Sequence, residues 1–227
     1  MTPIPFDNSS GLVVLAGGLG CGKTELAVNL AGRISETEAR PVLIVDLDNV
    51  KPYFKARNLE ESRRPHGVRI VAPPQGFSNA DLPVIPPEAR AAITIRSSSV
   101  IVDVGGDESG ARVLGGFRDE IEARGYSFFY VVNLSRPFLR DAGSVVAMLR
   151  EIERQSGLRV TGLVNNTHMM ELTDSALVEK GRAETRRISE MTGIPFAFTC
   201  MASGSGVELC DPSEGVFEMD LYFSGRV

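Results

Sequence analysis

The sequence predicts an α/β protein built on a mostly parallel sheet flanked by helices on both faces. Apolar runs of strand length alternate with helical patterns from one end of the chain to the other. Several of these runs, such as Leu12-Val13-Val14-Leu15-Ala16 and Phe128-Phe129-Tyr130-Val131-Val132, are continuously apolar, as strands are when helices cover both sides of a parallel sheet. The length of 227 residues suits one domain of the larger α/β kind, with a sizeable core.

The pattern places strands near 12–16, 42–45, 68–72, 100–102, 128–132, 160–164, 196–199 and 217–223. Helices are expected near 23–35, 87–97, 111–124, 141–156 and 173–192. Asp141 and Thr173 are suited to N-caps. Gly125, Gly157 and Gly193 fall where helices end on a left-handed residue. The stretch 51–87 is proline-rich and irregular around one short strand, yet it carries apolar side chains such as Tyr53, Phe54 and Phe77. It reads as an ordered excursion and a place for function.

Composition excludes several classes. The chain is 43% hydrophobic and 23% charged, with a net charge of −5. That is ordinary globular composition without the basic stripe of a nonspecific nucleic-acid binder. No apolar run reaches the roughly 18 residues of a membrane span. Met1 to Ser10 has neither a basic start nor an apolar core, so no signal peptide is expected. The three cysteines, Cys21, Cys200 and Cys210, make no even framework, which fits the cytoplasm.

One motif stands out. Gly17-Gly18-Leu19-Gly20-Cys21-Gly22-Lys23-Thr24 matches G-x-x-x-x-G-K-[ST], with an apolar strand before it and a helical pattern after it. Glycines let backbone N–H groups approach phosphate oxygens, and the helix N-terminus adds a positive dipole end. Lys23, expected to face solvent until phosphate arrives, can reach the β- and γ-phosphates, and the Thr24 hydroxyl can hold Mg²⁺.

A phosphate loop needs acidic partners. Val100-Ile101-Val102-Asp103 ends a strand in a carboxylate suited to Mg²⁺, and Gly105-Gly106 behind it can hinge and sense a γ-phosphate. Val42-Leu43-Ile44-Val45-Asp46-Leu47-Asp48 closes another strand with two aspartates on one face. One can touch the metal shell and the other can orient or deprotonate water.

Asn165 and Asn166 end a further strand, where an asparagine can pair with adenine. Guanine specificity usually wants a carboxylate three residues on; His168 and Met169 stand there, which favours ATP over GTP. Neither His66 nor His168 has partners at metal-ligand spacing, and Cys200 and Cys210 lack a C-x-x-C pattern.

Taken together, GGLGCGKTELAVNLA, VLIVDLD, VIVDVGG and GLVNN resemble the MinD/ParA/CobQ group of P-loop ATPases (the SIMIBI class) over most of the chain. Segments 48–54 and 79–83 resemble a bacterial branch of CobQ/CobB/MinD/ParA nucleotide-binding proteins. The resemblance implies that Gly17, Gly20 and Gly22 cradle phosphate, Lys23 binds the β/γ-phosphates and Thr24 binds Mg²⁺. It implies that Asp48 orients the attacking water, Asp46 lies in the metal's outer shell, Asp103 is the Walker B-like carboxylate and Asn166 reads adenine. The family's lysine that acts across a dimer falls at Gly18, and its second threonine is Glu25, a carboxylate expected near the α-phosphate. Lys51, Lys55 and Arg140 are the candidates for a replacement cation, and Asp107 is a further candidate to position water.

The expected ligands are therefore ATP or ADP with Mg²⁺. Three roles remain open at this stage. The first is a slow ATPase acting as a switch for a partner protein, such as a metalloenzyme or oxidoreductase under maturation, with a homodimer as one form of assembly. The second is a small-molecule kinase or synthetase of the dethiobiotin synthetase or cobyrinate amidase type. The third is a binding module without turnover.

Overall fold

A computed structural model describes residues 4–47, 59, 64–72, 87–106, 108–136, 139, 141–211 and 215–223. The excursion at 51–87 falls largely outside these residues, as do Asp48, Lys51, Lys55, Asp107 and Arg140.

The chain runs β1 (Leu12–Gly17), α1 (Lys23–Thr37), β2 (Val42–Asp46), β3 (Val68–Val71), α2 (Pro87–Thr94), β4 (Ser99–Asp103), α3 (Glu108–Gly115) and α4 (Arg118–Arg124). It continues through β5 (Ser127–Val132), α5 (Ala142–Ser156), β6 (Gly162–Asn165), α6 (Ser175–Thr192), β7 (Phe196–Ala202) and β8 (Val216–Met219). The strands form one sheet in the order β3-β2-β4-β1-β5-β6-β7-β8. Every neighbouring pair is parallel. The fold class read from the sequence is thus the one observed.

All six residues of β1 are buried, which explains its continuous apolar run. From β1 the chain moves to β2 on one side; from β4 onward it steps steadily the other way. Right-handed crossovers then put α1 on one face and α2 to α6 on the opposite one. The packing agrees: α1 lies on β1, β2 and β4, while α3 packs with α5, α5 with α6 and α2 with α4. The loops after β1 and β4 therefore part company at the carboxyl edge, where open α/β sheets bind ligands.

Three elements differ from expectation. The helix expected over 111–124 is two helices, α3 and α4. Gly115 and Gly116 break it, and a Cβ at Gly115 would lie 2.9 Å from the Gln155 carbonyl oxygen of α5. The close approach to α5 thus selects glycine, and glycine ends the helix. The cap of α6 is Asp174, whose carboxylate accepts from Leu177 N at 2.8 Å, and not Thr173. The Thr173 hydroxyl instead accepts from Met169 N and donates to Met170 O, closing a 3-10 turn at Met170–Leu172. The last strand stops at Met219, because the chain then turns onto α1. There the Asn29 amide bonds both N and O of Asp220. Asp141 caps α5 as expected, accepting from Ser144 N at 2.8 Å.

Arg124 ties the opposite end of the sheet. It is 5% exposed, and its guanidinium donates to the carbonyls of Ser10, Gly11, Ala92, Ile93, Ile95 and Ser98. Among the described residues no helix is long and apolar enough to cross a membrane.

Candidate nucleotide site

Strand register assembles the site. Asp46 of β2 pairs with Asp103 of β4, Leu15 of β1 pairs with Asp103, Gly17 of β1 pairs with Val131 of β5, and Val132 pairs with Asn165 of β6. Five separate stretches of sequence thus end in one row at the carboxyl edge. The phosphate loop lies between them and leads directly into α1 at Lys23.

The loop is preorganised. The Thr24 hydroxyl donates to Asp103 Oδ2 at 2.7 Å. Lys23 is buried, not solvent-facing as the sequence suggests; its Nζ donates to the Gly17 carbonyl at 3.0 Å and the Gly18 carbonyl at 2.9 Å. The ammonium folds back over the loop that it would share with a phosphate. Asp46 and Asp103 are both fully buried at the strand ends. Gly106 passes so close to the loop that a Cβ there would lie 3.0 Å from Leu19 N, which puts the Gly105-Gly106 hinge in contact with the phosphate loop.

Glu25 faces elsewhere. Its carboxylate accepts the backbone N–H groups of Tyr222 at 2.5 Å and Phe223 at 3.3 Å, fastening the C-terminal segment to α1.

The two asparagines divide their work. Asn165 is fully buried; its Nδ2 donates to Val178 O and its Oδ1 accepts from Thr167 N. Asn166 reaches the loop and donates from Nδ2 to Cys21 O at 2.8 Å. Gly22 has φ +84°, and a Cβ there would lie 2.3 Å from Asn166 Nδ2. Only glycine lets that brace close.

Gly18 is explained by packing. A Cβ at this position would lie 2.1 Å from Leu139 Cδ1. Leu139 is buried and sits in the β5–α5 loop, so it occupies the space of a side chain at position 18. Nothing in the local sequence around Gly18 announces this.

The same loop brings in Arg136, which sequence reasoning missed. Arg136 Nη2 lies 3.2 Å from His168 Nε2, and His168 Nδ1 lies 2.8 Å from Asn166 O. With Nδ1 protonated the ring donates to the Asn166 carbonyl and its Nε2 lone pair accepts from the guanidinium, while Asn133 Nδ2 also lies 3.2 Å from Nδ1. Burial lowers the His168 pKa, the Asn166 carbonyl opposes that, and the Arg136 charge reinforces it. The folded state therefore favours neutral His168 more than the unfolded chain does. An unfolded histidine protonates near pH 6.5, the folded one only at lower pH. Below about pH 6.5 the unfolded state takes up the extra proton, so stability falls as pH drops, and nothing is lost above that value. We expect the thermal midpoint to fall more steeply between pH 6.5 and 5 in the wild type than in His168→Gln. Parallel slopes would show that His168 stays out of this linkage.

Burial also raises the Cys21 pKa, the nearby Lys23 charge opposing it, so this thiol remains protonated. Cys200 is buried and Cys210 exposed. Among the described residues no group of three or more His, Cys, Asp or Glu could by itself hold a metal. One hydroxyl and flanking carboxylates at a phosphate loop do fit Mg²⁺, which is held by few protein oxygens together with phosphate and water. Met169, Met170 and Leu172, in the loop after β6, are exposed apolar side chains on the same edge.

No protein-family model matches the chain, and no curated protein sequence matches it. Solved structures do. The chain is similar to the cell division protein FtsY of Thermotoga maritima, with TM-score 0.55 and 17% identity over 86% of this chain and 62% of that one. It is similar to the signal recognition particle receptor FtsY of Elizabethkingia anophelis, with TM-score 0.54 and 15% identity over 94% and 66%. It is similar to the 54 kDa signal recognition particle protein of Aeropyrum pernix K1, solved with GDP, with TM-score 0.52 and 16% identity over 88% and 41%. The chain thus spans about 62% of the first of these structures. What these likenesses establish is the fold: the α/β fold, a parallel sheet flanked by helices, that these solved proteins share.

Proposed function

We propose that the protein binds ATP or ADP with Mg²⁺ and acts as a slow ATPase whose nucleotide state a partner protein reads. One observation supports this most: the Thr24 hydroxyl stands on Asp103 at 2.7 Å, at the mouth of a glycine loop that opens a helix. That pairing joins a phosphate loop to a metal-binding carboxylate from a strand 79 residues away in sequence.

In this reading the loop's backbone N–H groups take the phosphates, and Lys23 exchanges its two carbonyls for β- and γ-phosphate oxygens. Thr24 and Asp103, with Asp46 beside them, would hold Mg²⁺, which supplies charge neutralisation on the triphosphate. Asp48 follows β2 by two residues and orients the attacking water. Asn166 braces the loop and faces the base, with His168 and Met169 where a guanine-reading carboxylate would stand. This favours adenine, in contrast to the GDP in the Aeropyrum pernix structure. The Gly105-Gly106 hinge carries the γ-phosphate signal outward. The exposed Met169, Met170 and Leu172 offer a partner, or a second copy in a homodimer, apolar surface beside the site. The cytoplasm is the compartment that fits three unpaired cysteines.

The test is turnover. Wild type should hydrolyse ATP slowly, and Asp48→Asn should lose roughly 100-fold in rate while keeping its ATP affinity. Equal rates in the two proteins would remove Asp48 from the mechanism. No hydrolysis in the wild type would leave binding without turnover, and ATP loss that requires a small acid would turn the reading to a kinase or synthetase.

A further inference from the structure

We propose that Arg136 is a nucleotide-binding residue acting in cis, whose guanidinium, docked on His168 across the phosphate loop, donates its Nε–H to an oxygen of the bound nucleotide. The inference rests on the nucleotide reading above and extends it to a residue outside every motif.

Geometry carries it. Arg136 follows β5, the neighbour of β1, so its loop lies alongside the phosphate loop. A Cβ on Gly20 would lie 3.4 Å from Arg136 Nε and 3.6 Å from its Cζ. The guanidinium is thus packed directly on the middle of the loop. Its Nη2 is fixed by His168 Nε2 at 3.2 Å, while its Nε is buried and has no hydrogen-bond partner among the described residues. A buried N–H on a cation without an acceptor costs free energy unless something completes it. Among the described residues no carboxylate hydrogen-bonds the guanidinium, whose charge stands beside the place prepared for an anionic ligand.

The supporting residues hold that pose. Arg136 N donates to Asn133 O, Ser135 N to Asn133 Oδ1, and Leu139 N to Arg136 O, which ties these four residues together. Leu139 then plugs the space at Gly18, locking the β5–α5 loop against the phosphate loop. His168 Cε1 lies 3.4 Å from the Cβ position of Gly22, which seats the imidazole on the same flank. Arginine over a glycine loop presents a planar fork with several donors, suited to phosphate oxygens or to the hydroxyls of a sugar. The shared chemistry is an oxygen acceptor on the nucleotide.

The experiment compares affinities of wild type, Arg136→Ala and Arg136→Lys for ATP·Mg²⁺, ADP·Mg²⁺ and inorganic tripolyphosphate, with thermal midpoints alongside. Arg136→Ala should bind ATP about 10- to 100-fold more weakly with an unchanged midpoint. Arg136→Lys should recover part of that loss. An equal loss for tripolyphosphate would place the contact on a phosphate; a loss confined to ATP and ADP would place it on the sugar. Either result supports the assignment. Undiminished ATP affinity in Arg136→Ala, in a protein whose Lys23→Ala variant has lost binding, would overturn it and leave the nucleotide reading standing. A wild type that binds no nucleotide overturns both.

Discussion

Replacing Lys23 by alanine should abolish ATP binding, with affinity falling at least about 100-fold while the fold persists. The expectation follows from where the ammonium already stands. Nζ is buried against the carbonyls of Gly17 and Gly18, so it is held at the loop before any phosphate arrives. A charge placed in advance adds affinity because little ordering remains to be done on binding. Lys23 opens α1, so alanine keeps helix propensity there. Calorimetric titration with ATP·Mg²⁺ measures the loss, and circular dichroism checks the fold. Unchanged affinity would remove the phosphate loop from the account.

A different site governs stability. Arg124→Leu should destabilise the protein by about 3–5 kcal/mol, the range for breaking a buried charged network. For a chain of this size that lowers the thermal midpoint by roughly 10 °C. Arg124 gathers six carbonyls from the chain before β1, the end of α2 and the entry to β4. These carbonyls lie at the amino edge of the sheet, away from the nucleotide site, and each loses a charged donor in the variant. Burial lowers the Arg124 pKa, yet an arginine keeps its proton throughout the usual pH range. Arg124→Lys should recover only a minority of the loss, because an ammonium has three donors and no planar fork. Thermal denaturation measures both. A midpoint within 2 °C of wild type in Arg124→Leu would show that the carbonyls find other partners.

What the sequence made legible follows from physical range. The glycine loop, its strand and its helix are contiguous, so local pattern suffices to place them. Asp46 and Asp103 were legible because each ends an apolar run, and parallel strands of similar length bring such ends into one row. Asn166 was legible as a strand-end asparagine; its brace to Cys21 O was not, because it depends on β6 standing two strands from β1. Leu139 and Arg136 sit in a loop with no motif, and their contacts with Gly18 and Gly20 exist only because β5 lies beside β1. The exposure expected of Lys23 failed for a related reason. Pattern places the lysine at the helix start but does not reveal the two carbonyls that draw it inward. Glu25 was assigned to phosphate by its neighbours in sequence, whereas residues nearly 200 positions away engage its carboxylate.

The proposed function stands on the loop from Gly17 to Thr24 acting as a phosphate cradle for a nucleotide. Equilibrium binding of labelled ATP with Mg²⁺ to the wild-type protein, with unlabelled competitors, tests it most directly. Saturable binding is expected at one site per chain, displaced by ATP and ADP, poorly by GTP and hardly at all by AMP, which lacks the β-phosphate that the loop would hold. No saturable binding at millimolar ATP, or displacement by AMP as effective as by ATP, would contradict it.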